Sequence, residues 1–340
     1  MAYTTINKSS EHFNTKLYTG NAGTQSISSV GFQPDMTWIK RRGSAEDHAL
    51  FDAVRGATKR LFPSRDYSEA TQTGGLTSFD SDGFSLGNGD AVNGSDTYAS
   101  WNWLGANGTT SNTDGSISST VSVNTTAGFS IVKWTGNGGT ASVGHGLGVK
   151  PNIVIKKNRS ASTNWIFSTT IIDGSNDFFY LNSTDAKGDS GETAPTTSLI
   201  NLYANSENNG NGNDMIAYCF AEKTGYSKFG TYTGNGNADG TFIYTGFKPA
   251  FYIIKSTSNR SWIIKDNKRP GYNVNGSYLL AEDSQAEATG SGNLASDELS
   301  NGLKIRGTST ALNASGETYI YMAFAEAPLV GSNNVPCTAR

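Results

Sequence analysis

Histidine is the side chain most often used as a general base, and this 340-residue sequence holds three: His12, His48 and His145. His48 follows Asp47 directly, and Ser44 is near, so a nucleophile, a base and an orienting carboxylate lie within five residues. No Gly-x-Ser-x-Gly elbow and no oxyanion-hole motif accompany them, and His48 reads as a surface residue and His145, in GHGLG, as a loop residue. Three aspartates, Asp52, Asp173 and Asp266, each end a short apolar run. A glycosidase needs two carboxylates across one cleft; aspartates that recur along a chain fit turns bonded to their own backbone better. In FDSDGFSLG, Asp80 and Asp82 stand two apart with Gly83 after them, a spacing that offers oxygen ligands to calcium. The twelfth-place Glu of a calcium loop is missing, so Asp80 and Asp82 are a weak calcium candidate and otherwise a turn; no cofactor is expected.

Binding residues come next. Flat indole rings stack on sugar faces, and Trp165 and Trp262 follow equivalent polar turns, which makes them the first glycan contacts if they are exposed. The Asn/Gly-rich loops 205–214, with Asn208 and Asn211, and 290–298 are the other candidates, because binding gathers in loops on rigid β scaffolds. Lys40-Arg41-Arg42 with Arg55, Lys59 and Arg60 reads as a solvated face or a salt-bridging cluster, with a phosphate or anion site as the alternative. The net charge is −3 and no basic stripe exists, so a nucleic-acid partner has no electrostatic footprint.

The elements that must position these residues are short strands. Forty glycines, few charges and 11% aromatic residues describe many strands joined by many turns. The dominant signal is an internal repeat. YTGNAGTQSISSVGFQPDMTWIK (18–40), WTGNGGTASVGHGLGVKPNIVIK (134–156) and YTGNGNADGTFIYTGFKPAFYIIK (232–255) share an aromatic residue, Thr-Gly-Asn, a proline and an apolar strand closed by lysine. A second strand ends at Asp52, Asp173 or Asp266. A variable polar stretch and a closing aromatic strand follow, at Trp103, Phe220 and Phe324. Proline suits the start of a strand. In the closing strands Trp101 and Trp103, Tyr218 and Phe220, and Met322 and Phe324 share a face, which is the expected core. SDELSNGLK (296–304) reads as one helical turn at most, and 105–115 as a flexible polar tract.

The fold expected is all-β: three tandem repeats of a small antiparallel β-sandwich, jelly-roll-like, over 1–112, 113–223 and 224–328, with an arm at 329–340. The short linker at KTGYS implies that the second and third domains pack together. Two cysteines, Cys219 and Cys337, make no disulfide framework, and whether they pair is open. The N-terminus shows no secretory leader, and no apolar run reaches the ~18 residues of a membrane span.

The strings FNTKLYTGN (13–21), VGFQPDMTWIKRR (30–42), TAGFSIVKWTGNGG (126–139), GHGLGVKP (144–151), FGTYTGNGNADGTFIYTGFKPAF (229–251) and YMAFAEAPLVGSNNVP (321–336) resemble repeated-module virion structural proteins, tail-fibre-like, of marine bacteriophages including cyanophages. The resemblance spans nearly the whole chain and is weakest in the variable stretches. It implies a non-enzymatic virion protein made in the host cytoplasm, with other virion proteins as partners and a host-surface glycan as the ligand, and assembly as a homo-oligomer, first of all a trimer. The repeat starts almost at Met1, which keeps a capsid decoration protein with no receptor role as the alternative. A polysaccharide-degrading enzyme is the third reading.

Overall fold

In the computed structural model, which describes residues 2–336, the chain is all-β and its sheets are antiparallel. In the N-terminal third, β1 (Phe13–Thr19), β3 (Met36–Arg41), β4 (Ala49–Asp52) and β9 (Thr97–Trp103) form a sheet ordered β1-β9-β3-β4. Facing it, β2 (Gln25–Ile27), β7 (Leu76–Asp80) and β8 (Gly83–Leu86) are ordered β2-β8-β7, and β5 (Lys59–Arg60) pairs with β6 (Ala70–Thr71).

The middle third contributes β10 (Thr110–Asn112), β11 (Ser119–Asn124), β12 (Phe129–Thr135), β14 (Ile153–Asn158), β15 (Ile166–Thr169), β16 (Asp177–Tyr180), β17 (Gly188–Asp189) and β19 (Asp214–Phe220). They are ordered β10-β11-β12-β19-β14-β15-β16-β17, and β13 (Ala141–Gly144) pairs with β18 (Leu199–Leu202). In the C-terminal third, β20 (Ser227–Thr233), β22 (Phe247–Ser256), β23 (Ile263–Asp266), β24 (Leu279–Leu280) and β27 (Thr318–Pro328) are ordered β20-β27-β22-β23-β24. The small sheet there is β21-β26-β25, from β21 (Phe242–Tyr244), β25 (Ser296–Leu299) and β26 (Gly302–Ile305). One helical turn precedes each closing strand: α1 (Asp90–Asn93), α2 (Ser206–Asn209) and α3 (Thr310–Asn313).

The central strands β3, β14 and β22 of the large sheets are buried on both faces, which is why they read as nearly unbroken apolar runs, while edge strands such as β1 and β20 alternate. Trp101 and Trp103, Tyr218 and Phe220, and Met322 and Phe324 meet in one cluster that draws on all three thirds. Phe13, Trp103, Phe251 and Phe324 pack there with ring centres 4.9–6.4 Å apart. The intervening positions, such as Tyr98, Cys219 and Tyr319, face a separate core under each small sheet. All three thirds therefore pack together, the middle and C-terminal ones included.

Four expectations change. Residues 296–304 are the β25–β26 hairpin, not a helical turn, because Ser296–Leu299 pairs with Gly302–Ile305. The tract 105–115 is tied down: Thr110–Asn112 is a strand, and the Gly105 and Asn107 amides donate to Asp35. Pro34 and Pro151 precede their strands, but Pro249 sits inside β22 at a register shift, a place that tolerates a missing N–H. Residues 329–336 stay close to the body, with Leu329 N donating to Gly246 O and Val330 bridging Pro336. Cys337 lies outside the described residues, and the pairing question with it; Cys219 is buried, and burial pushes its thiol up.

Candidate functional site

Register decides which residues are equivalent. Met36 lies opposite Trp103 and Asp52, Ile153 opposite Phe220 and Thr169, and Phe251 opposite Phe324 and Asp266. The residue that matches Asp52 and Asp266 is therefore Thr169, not Asp173, which is exposed and accepts from Ser175 in a turn. Lys40 and Lys255 match Lys157, not Lys156; Lys156 stands where the outer thirds have Ile39 and Ile254.

Most sequence candidates are absorbed by contacts between thirds. His48, Trp165 and Trp262 occupy one place, just before β4, β15 and β23. Trp165 Nε1 donates to Phe62 O at 2.8 Å, Trp262 Nε1 donates to Tyr180 O at 3.0 Å, and His48 Nε2 lies 2.9 Å from Leu280 O. Trp38 Nε1 donates to His48 Nδ1, so the imidazole proton sits on Nε2 and points at that carbonyl. His48 is buried, contrary to its reading as a surface residue, and burial holds its pKa well below the usual value. Trp165 and Trp262 are 0% and 1% exposed, so their faces stack in the core and the exposure that a glycan contact requires is not met.

The arginines of the basic cluster are spent on ion pairs, while buried Lys40 and partly buried Lys59 donate to neutral oxygens, so the cluster is not a solvated face. Arg55 pairs with Asp52 and reaches Glu69, which also takes a two-pronged contact from Arg159. Arg269 pairs with Asp266 and reaches Glu287, which accepts from Arg42. Tyr218 OH and Trp101 Nε1 donate to Asp52 and Asp266 from the adjacent third. At the third such junction both sides change: Thr169 replaces the aspartate, and Met322, which cannot donate, replaces the aromatic donor.

Asp80 accepts from the Ser78 and Ser85 hydroxyls and Asp82 from the Ser29 and Gly31 amides, so both carboxylates are engaged by protein donors in and beside the β7–β8 turn. Among the described residues, no group of three His, Cys, Asp or Glu side chains is arranged to hold a metal. The Thr-Gly-Asn loops are braced too. Buried Asn93, Asn209 and Asn313 donate to Asn21, Asn137 and Asn235. A Cβ on Gly20, Gly136 or Gly234 would fall 2.0, 2.2 or 2.3 Å from a carbonyl oxygen after the one-turn helix.

What remains is in the middle third. The outer small sheets have three strands and the middle one has two, since the chain before β18 forms no partner strand. A groove of about 220 Å³ opens there, lined by Phe178, Tyr180, Glu192, Tyr203, Glu207 and Asn208 among others. Its wall is held from below. Lys156 Nζ, buried in the position of an isoleucine, donates to both Glu192 oxygens at 2.6 and 2.5 Å. Glu192 Oε1 also accepts from the Tyr203 amide. Burial lowers the pKa of Lys156 while Glu192 opposes that shift.

The groove's remaining polar groups are mostly acceptors. Glu207 takes one bond from Asn164 Nδ2 at 3.1 Å and a long one from Tyr180 OH at 3.4 Å. Asn208 is buried, its amide nitrogen donates to Asn205, and its Oδ1 has no partner. Such an acceptor is completed by an ordered water or by a ligand hydroxyl. Tyr203, 48% exposed, lies against Gly191, and Phe178 and Tyr180 meet edge-on, so aromatic surface faces the opening. Asn208 is thus a groove residue, whereas Asn211 is exposed in a turn beside Gly138, outside it. Phe178, Tyr180, Glu192 and Tyr203 escaped sequence reasoning, whereas Glu207 lies in the loop 205–214 that the sequence singles out. The available signal was Lys156 at an apolar strand position, which requires a buried carboxylate nearby.

Fold and site together define a class: an all-β protein of packed antiparallel sheets with a surface groove offering aromatic faces and hydrogen-bond acceptors. The chain belongs to the family described as Domain of unknown function (DUF7483), whose match covers residues 8–328. No curated protein matches the sequence.

Proposed function

We propose that this chain is a non-enzymatic surface protein of a bacteriophage particle, built from three tandem β-sandwich modules, that attaches to a host-surface glycan through the groove of its middle module. The observation that carries the binding reading is the unpartnered Asn208 Oδ1 beside Glu207 and the exposed Tyr203. Sugars present hydroxyl donors around an apolar ring face, the complement of acceptors set beside aromatic rings. With acceptors dominating, the groove favours neutral or amino sugars over acidic ones. The triple module is supported by the common strand order of the large sheets and the cyclic contacts of His48, Trp165 and Trp262. The particle is supported by the sequence resemblance to phage virion proteins.

A non-catalytic role is supported by the groove carboxylates. A glycoside hydrolase needs two that can act as acid and base, and Glu192 is locked onto a buried ammonium. The test is a glycan array with the full chain, followed by calorimetry with the strongest ligand. Tyr203→Ala and Glu207→Gln should each weaken binding by about tenfold, in line with loss of a stacking or charged hydrogen-bond contact. Purified protein should also block phage adsorption. Undiminished adsorption in its presence would favour a decoration role, and sugar released from host polysaccharide would favour an enzyme.

A further inference from the structure

The C-terminal third departs from the others at one end of its large sheet. Its central strands, β22 and β27, are ten and eleven residues long, against six and seven for β14 and β19 in the middle third. The added length pairs Lys248 with Ala327 and carries Glu326 beside it. Lys248 Nζ lies 2.8 Å and Lys268 Nζ 3.5 Å from Glu326, so two ammonium groups share one carboxylate. Burial alone would push the Glu326 pKa up, but the two lysines outweigh it and hold the pKa below the usual value.

These residues border a groove of about 360 Å³, together with Asn267, Tyr272 and Glu298. Glu298 is turned to the interior, where its Oε1 accepts from Tyr252 OH at 2.6 Å and Asn275 Nδ2 at 2.9 Å. That leaves the rim with one positive charge in excess. Asn267 Oδ1 is buried and has no partner. Tyr272 is 80% exposed, yet its loop is fixed: the Asn273 side chain donates to Glu298 O and accepts from Glu298 N. An aromatic ring kept in solvent on a pinned loop contributes nothing to a core, and it is preorganised for a planar or ring-shaped partner.

We propose that this groove is a second saccharide site and takes an acidic sugar, its carboxylate on Lys248 and Lys268, a hydroxyl donated to Asn267 Oδ1 and the ring face against Tyr272. The site shares no residue with the middle groove, so either can fail alone. The two differ in charge preference, since the middle groove offers acceptors and this one offers ammonium groups.

The experiment is calorimetry of the full chain with trigalacturonate, its methyl-esterified form and inorganic phosphate. Trigalacturonate should bind, the ester should bind at least about tenfold more weakly, and phosphate should not displace the trimer at equal concentration. Lys268→Ala and Tyr272→Ala, both at exposed positions, should each cost about tenfold, whereas Tyr203→Ala should leave the affinity unchanged. Equal binding of acid and ester, displacement by phosphate, or insensitivity to both variants would overturn the proposal, as would no binding of the acid.

Discussion

The middle and C-terminal thirds share the order of their large sheets and diverge in what lies over them. In the C-terminal third, Ser296–Leu299 pairs with Gly302–Ile305 and completes a three-stranded small sheet over Ile254. In the middle third that added strand is absent, and the side chain beneath is Lys156, clamped to Glu192 in the loop that takes its place. One apolar-to-cationic change and one missing strand go together, and a groove is the result. The divergence shows how sheets of one order come to differ: a position that is core in two places holds a loop open in the third, and a groove forms.

The strongest way to break the comparison is to remove the clamp. Glu192→Gln leaves an ammonium buried beside a neutral amide and should cost about 3–5 kcal/mol in urea unfolding. The double variant Lys156→Ile, Glu192→Gln should recover most of that loss, because isoleucine is what Ile39 and Ile254 already supply. Equal losses in the single and double variants would contradict the account.

A smaller contrast separates the junctions between thirds. Asp52→Asn takes from Arg55 the nearer of its two carboxylates, leaving Glu69, and weakens the bond from Tyr218, so a loss of about 3 kcal/mol is expected. Thr169→Ala at the matching place removes a neutral hydroxyl that donates to Asn152 O and accepts a longer bond from Ile171 N, for a loss of about 1 kcal/mol. Guanidinium unfolding of both variants gives the ratio directly.

The least effect concerns what all three thirds share. Lys40, Lys157 and Lys255 each donate to a carbonyl of an adjacent third, at Ser284, Asp66 and Thr184. Burial is the largest influence on all three and pushes each down to about 8, against ~10.4 in an unfolded chain. Between about pH 8 and 10 the unfolded chain therefore holds more protons, and stability should rise with pH. Above about pH 10 the sign reverses. Burial holds Tyr218, Tyr232 and Tyr252 well above their usual value, so the native state keeps protons that the unfolded chain loses. The melting temperature should peak at about pH 10, and Lys255→Met should flatten the rise by about a quarter at most, because buried Lys265 is pushed down too, to about 7. A maximum near neutrality would count against equal roles for the three lysines.

Much of the frame was legible in the sequence. The paired aromatics of the closing strands face the common core as alternation requires, and the Thr-Gly-Asn loops turn where their glycines demand. Register in the middle third was not legible, since Lys156-Lys157 offers two lysines and only strand pairing selects Lys157 as the equivalent of Lys40 and Lys255. A separate, four-residue offset put Asp173 in the place of Thr169. Trp165 and Trp262 drew attention as sugar-stacking rings, but their indole N–H groups bond across junctions, a long-range contact that no local pattern encodes. Of the groove, the sequence singled out only the loop 205–214, which supplies Asn205, Glu207 and Asn208; the opposite wall, where a strand is missing, carries no pattern to read.

The central claim is that the middle groove is where the ligand sits. Hydrogen-exchange mass spectrometry with and without the neutral or amino sugar returned by the array tests it most directly. Added protection should fall in 190–208 and along β16, with the β7–β8 and β25–β26 hairpins unchanged. Protection confined to the outer thirds, or an array that returns no neutral or amino sugar, would contradict it.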